Sequence, residues 1–183
     1  MKACLDSAKW PAHLVQRARQ PPPEGCAVIP KSTPVVAFGD PRRVRVATLG
    51  INPSSAEFND RSGELLTGPR RRLATLDSIG AGSYTGIDDE AARRILDDCA
   101  MYFQRRPYGW FNALDQILRP ALAASYFDGS ACHLDLVQWA TDPIWQDLPE
   151  QVQARLLSAD RSFWSSSSST TVSTWWSWRD GPR

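Results

Sequence analysis

Apolar residues recur along this chain with two different periods. Residues 44–49 (VRVATL) form a short β-like run that alternates little and reads as a centrally buried strand. Another such run, VVAF at 35–38, precedes it. The Gly-Asp-Pro-Arg between them is a hairpin signal. Residues 131–140 (ACHLDLVQWA) predict a further strand. The helical period is clearest in 87–106, where Ala92, Ile95, Leu96, Cys99 and Phe103 form one stripe and Asp88 is placed to cap it. In 108–122, Phe111, Leu114, Ile117 and Leu118 are expected to face inward. In 69–80, Pro69 suits a first turn and Gly80 a stop, with Leu73 and Leu76 on one helical face. Residues 148–160 predict a short helix, and residues 1–20 an amphipathic one with no apolar signal-peptide core.

Strand, helices, strand, helix is the order of parallel crossovers. The predicted fold class is α/β, a three-layer domain with a central, mainly parallel sheet, truncated at its C-terminus. Residues 1–34 predict an N-terminal helix and a Pro-rich arm (RQPPPEGCAVIPKSTP at 19–34) lying on the domain. Residues 35–163 are the α/β domain, and 164–183 are a tail of different character.

Composition narrows the picture only a little. The length of 183 residues suits one domain, and a net charge of +1 points to no partner class. Lys2, Lys9 and Lys31 are the only lysines, so the positive charge is nearly all arginine, the better phosphate fork. No run approaches the ~20 apolar residues that cross a bilayer. None of Cys4, Cys26, Cys99 and Cys132 forms a C-x-x-C pair, so they read as reduced, buried thiols of a cytoplasmic protein. With two histidines, His13 and His133, no metal cluster or Ser/His/Asp set can be assembled, and neither metal nor cofactor is expected. The Gly-rich GAGSYTG at 80–86 lacks the lysine of a phosphate loop.

The tail breaks the pattern. Five serines are followed by Trp175, Trp176 and Trp178, which fit neither a linker nor a core strand. Tryptophan has a single codon, so a shifted reading frame is partly forced there. Reading from the third base of each codon, with GC-ending codons, gives the hypothetical string LVEQLQHHGVNVVVVAGRAS. That string is an amphipathic helix, a turn glycine, a buried strand and a small-residue loop. Residues 164–183 therefore read as a frameshift product or engineered gene end, the alternative being a Ser-rich tail with a Trp cluster.

The chemistry centres on LGINPSS at 49–55, where the β-like run stops. Ligands of open α/β sheets bind beyond the carboxyl ends of the strands. Gly50 lets a ligand approach the backbone, and Pro53 biases Asn52 to an extended conformation. Asn52 then presents a neutral amide that positions a water without repelling an anionic leaving group. Ser54 and Ser55 offer N–H groups or a cap. Taken alone, Asn-Pro-Ser-Ser reads more readily as a turn and cap.

VATLGINPS closely resembles the first motif of the uracil-DNA glycosylase superfamily, in its mismatch-specific and thymine-DNA glycosylase branch. The resemblance implies a DNA glycosylase-like enzyme of base-excision repair, acting on a deaminated or mismatched base. It makes Asn52 the residue that aligns water against the deoxyribose C1′, with Gly50, Ile51, Pro53 and Ser54 lining the base pocket. CHLDLVQWATDP at 132–143 resembles the superfamily's next strand, and WFNALDQIL at 110–118 the helix before it. Asp135 falls at a base-contacting position, with His133 beside it on the same strand face. DNA is the implied partner.

Two features depart from that pattern. Where the branch carries a base-stacking Phe the chain reads GELLTG, which leaves stacking to Leu65, Leu66 or Phe58. The superfamily's last motif, with its base-steadying His or Asn, has no counterpart in the present frame, so this form is expected to be impaired. Arg70, Arg71 and Arg72, with Arg42, Arg43, Arg105 and Arg106, are candidate phosphate grips, or else a solvated face. Two alternatives stand beside the glycosylase reading. One is a non-catalytic relative that binds nucleic acid or a nucleotide, and the other is a small-molecule N-glycosidase.

Overall fold

Helix α3, Asp89–Ala100, starts where its cap says it should: the Asp88 carboxylate accepts the Ala91 N–H at 2.8 Å. In this computed structural model, which describes residues 9–167, the α3 stripe of Ala92, Ile95, Leu96 and Cys99 is buried. Against it packs α1, Ala12–Ala18, through Leu14, Val15 and Ala18, with Trp10 closing the same cluster. The Trp10 indole N–H donates to Asp97 at 2.8 Å, which fixes the entry to α1 on the shoulder of α3.

Two strands form the sheet. β1, Val46–Gly50, and β2, Ala131–Asp135, run parallel in a register from Val46 opposite Ala131 to Gly50 opposite Asp135. The chain between them carries α2 (Leu76–Ile79), α3 and α4 (Trp110–Leu122), and α5, Glu150–Ser167, follows β2. The domain is thus mixed helix and strand around a small parallel pair. Phe38, Tyr102, Phe103, Phe111 and Tyr126 are buried together as the aromatic core beside the sheet. No helix among the described residues is long and apolar enough to cross a membrane.

The structure corrects four local expectations. The hairpin between residues 35–38 and 44–49 does not form. Phe38 instead exchanges backbone hydrogen bonds with His133, at 2.8 and 2.9 Å, so the first run lies along β2. β1 is not buried on both faces: its one strand neighbour among the described residues is β2, and Leu49 is 62% exposed. Ile117 is 63% exposed, because one residue along a helix turns the side chain ~100° away from Leu118. Residues 69–80 are not one helix. A 3₁₀ turn spans Gly68–Arg70, and α2 begins afresh at Leu76, where Thr75 and Ser78 form a reciprocal capping box.

A buried ion pair joins the two flanking helices. Arg17 of α1 meets Asp160 of α5 at 2.6 Å, and Asp160 also accepts the Gln138 backbone N–H at 2.7 Å. Burial pulls the Arg17 pKa down and pushes that of Asp160 up. Cys26, Cys99 and Cys132 are buried free thiols. Cys4 and the serine and tryptophan tail from residue 168 onward lie outside the described residues, and α5 itself runs through Ser167.

Candidate active site

Gly50 ends β1 directly across from Asp135, at the carboxyl end of the parallel pair. A Cβ on Gly50 would collide with Asp135 Oδ1 and stand 2.8 Å from His133 Nε2. Gly50 is therefore needed here for close approach, since the two β2 side chains lean into the space that a methyl group would fill. His133 Nε2 lies 3.3 Å from Asp135 Oδ1, with both side chains buried. On its other side His133 Nδ1 is 2.7 Å from Thr48 Oγ1, and that hydroxyl is 2.5 Å from the Tyr126 hydroxyl. Which of Nδ1 and Thr48 Oγ1 donates follows from the imidazole tautomer, and the Thr48 hydroxyl links the ring to Tyr126. Alternation along both strands puts Thr48, Gly50, His133 and Asp135 on one face of the sheet.

Asn52 follows at the same end of the sheet. Its Nδ2 donates to Thr141 Oγ1 at 3.2 Å and to the Trp139 carbonyl at 3.4 Å. The two amide hydrogens are thereby committed, so the group left to act on a ligand or a water is the Oδ1 acceptor. Pro53 is buried. Ser54 caps the turn Ser55–Glu57, its Oγ accepting the Ala56 N–H at 3.2 Å. Ile51 is exposed, and its carbonyl accepts the Val137 N–H at 2.8 Å, which ties the start of the motif to the segment after β2. Asn52, His133 and Asp135, chosen from sequence, are thus brought to one end of the sheet. The cap role of Ser54 holds as well.

Glu57 is a member of this neighbourhood that sequence reasoning missed. It is buried and accepts the Tyr102 hydroxyl at 2.7 Å, while that hydroxyl accepts the Tyr108 N–H at 2.8 Å. Burial pushes the Glu57 carboxyl up to about 7; Tyr102 and Arg72 pull it down, and the nearby charge of Asp135 raises it further. The available signal was its place in the turn that Ser54 caps, beside the buried Phe58. Trp110 was read only as part of a helix. It opens α4 at 51% exposure, with its ring centroid 5.4 Å from that of His133.

The other candidates sit differently. Phe58 and Leu66 are buried in the core, so neither presents a face for stacking, while Leu65 is half-buried against it. The arginines have internal partners: Arg70 pairs with Asp60 at 3.2 Å and Arg71 with Asp98 at 3.1 Å. Arg72 donates to the Arg106 carbonyl at 2.8 Å and lies 5.5 Å from the centre of the Tyr108 ring, leaving its Nε without a hydrogen-bond partner. A cavity of about 810 Å³ lies away from the strand ends, between α1 and α3, lined by Trp10, Val15, Arg19, Asp89 and Arg93. No group of three or more His, Cys, Asp or Glu side chains among the described residues is arranged to hold a metal ion.

Comparison with known proteins gives no match: no family model fits the chain, and no curated protein and no solved structure is similar to it.

Proposed function

We propose that this chain is a nucleobase N-glycosylase of the uracil-DNA glycosylase kind, acting on DNA that carries a deaminated or mismatched base. One observation carries the reading. The Gly-Ile-Asn-Pro segment ends a parallel strand beside a buried His133–Asp135 pair that only a glycine at position 50 admits. The base leaves the stack, as bases must to reach a buried reacting centre. Asn52 Oδ1 orients a water toward C1′. The water oxygen bonds to C1′ while the glycosidic electron pair departs with the base. The water loses one proton and the base gains one, so the reaction is a net hydrolysis. Asp135 meets the base edge, and His133 holds Asp135 in place. The same reading implies a three-layer domain whose central sheet has strands beyond β1 and β2.

The test is release of the base from labelled oligonucleotides carrying uracil, single-stranded or opposite guanine. Release that disappears in Asn52→Ala supports the assignment, and no release from any such substrate by the wild-type chain overturns it. A second reading, a small-molecule N-glycosidase, is favoured by the internal pairing of Arg70, Arg71 and Arg72, which leaves those side chains less free to grip phosphates. Salt-dependent DNA binding separates the two. Salt-dependent binding without base release identifies a non-catalytic relative.

A further inference from the structure

Trp110 stands out because it is exposed where an indole has no structural reason to be. It is 51% exposed on the first turn of α4, and its only ring contacts among the described residues are with Phe111 at 5.0 Å and His133 at 5.4 Å. Both are edge contacts, with interplanar angles of 78° and 73°, so no aromatic ring lies parallel on the indole. Tyr108, two residues earlier, is 41% exposed with the Arg72 guanidinium over its ring. The Tyr108 N–H is tied through the Tyr102 hydroxyl to Glu57, so this aromatic rim is fixed to the floor beneath it.

We propose that Trp110 is the stacking platform for the planar base, lying over the His133–Asp135 pair. The inference rests on the glycosylase reading and assigns to α4 a role that Phe58 and Leu66 do not fill, since both are buried. A nucleobase fits the chemistry of both parts. Its π-face needs an aromatic surface without a parallel neighbour, which Trp110 offers. Its polar edge needs buried hydrogen-bonding groups within a ring's width of that surface. His133 is in ring contact with Trp110 and its Nε2 lies 3.3 Å from Asp135 Oδ1, so it supplies that link.

The experiment compares the wild-type chain with Trp110→Leu and Trp110→Phe. Leu keeps an apolar, helix-compatible side chain and loses the π-face, while Phe restores it. Each protein is titrated with two oligonucleotides of the same sequence, one carrying 2′-fluoro-deoxyuridine and one a tetrahydrofuran abasic site. The expected result is a loss of about tenfold or more in affinity for the base-bearing strand in Trp110→Leu. Trp110→Phe stays within about threefold, and abasic-strand affinity is unchanged in both. Equal affinity of wild type and Trp110→Leu for the base-bearing strand overturns the proposal. So does an equal loss on both strands, or a wild-type chain that does not prefer the base-bearing strand. Base release is measured in parallel to separate the two claims. Selective loss of base binding in a chain that releases no base upholds the platform and removes the glycosylase reading. Undiminished release and affinity in Trp110→Leu does the reverse.

Discussion

Gly50 and Asp135 face each other across the parallel pair so closely that a methyl group at residue 50 would overlap Asp135 Oδ1. Gly50→Ala must therefore push the carboxylate, His133 or the β1 backbone aside. Overpacking of this kind costs about 1–3 kcal/mol. The expected outcome is a lower denaturation midpoint with any base release abolished, read by chemical unfolding and oligonucleotide cleavage. An Ala variant with wild-type stability would show that the pair moves freely and that its packing under Gly50 is not needed.

Asn52→Ala removes the Oδ1 acceptor and, with it, the two donations to Thr141 and Trp139. Loss of a positioned catalytic dipole costs on the order of 10²–10³ in rate. The structural bonds are worth roughly 1 kcal/mol net each. Base release should fall by that factor with only a small drop in melting temperature. Asn52→Asp keeps the acceptor but loses the donors, so it should lose more stability than its change in size suggests.

Glu57 gives a pH signature. Burial pushes its carboxyl up to about 7 in the folded chain, from the ordinary value of 4.5 that an unfolded chain restores. Between those values the folded state holds a proton that the unfolded state has lost, so stability falls as pH rises through the window and levels off above it. The drop is on the order of 3 kcal/mol. Glu57→Gln still accepts the Tyr102 hydroxyl and cannot titrate. Unfolding free energies at pH 5 and pH 8 should differ more in wild type than in Glu57→Gln by about that amount, and parallel profiles would contradict the assignment.

Arg17 and Asp160 form a buried pair, so removing one partner strands the other. Arg17→Met should cost about 3–5 kcal/mol. Pairing it with Asp160→Leu should recover part of this. Recovery stays incomplete because Asp160 also accepts the Gln138 backbone N–H. A thermal-denaturation double-mutant cycle measures the coupling.

What the sequence conveyed depended on distance along the chain. Helix α3 was legible because its cap and its stripe are set by residues three and four apart, and the capping side chain does bond to Ala91. Residues 35–38 were misassigned because their partner, His133, lies far along the chain, and a hairpin signal speaks only for neighbours. Leu49 could not be read correctly for a related reason: strand composition reports what a residue prefers, while exposure depends on which strand lies alongside it. The site divides the same way. Asn52 stood out because it follows the end of an apolar run, and Asp135 because its segment carries the family resemblance. Glu57 and Trp110 reach the site only through Tyr102 and His133, contacts that the fold creates.

The Arg17–Asp160 clasp also orders events during synthesis. The two residues are 143 positions apart, and the Arg17 guanidinium lies almost wholly inside the protein. A ribosome that has completed β2 has not yet made Asp160, so until then the only counter-charge described for Arg17 is missing. Helix α1 can seat on α3 through Leu14, Val15 and Ala18 while the sheet is being translated, but with the Arg17 charge uncompensated. Its polar face is completed only when α5 emerges, so the seat of the first helix is finished among the last events of folding.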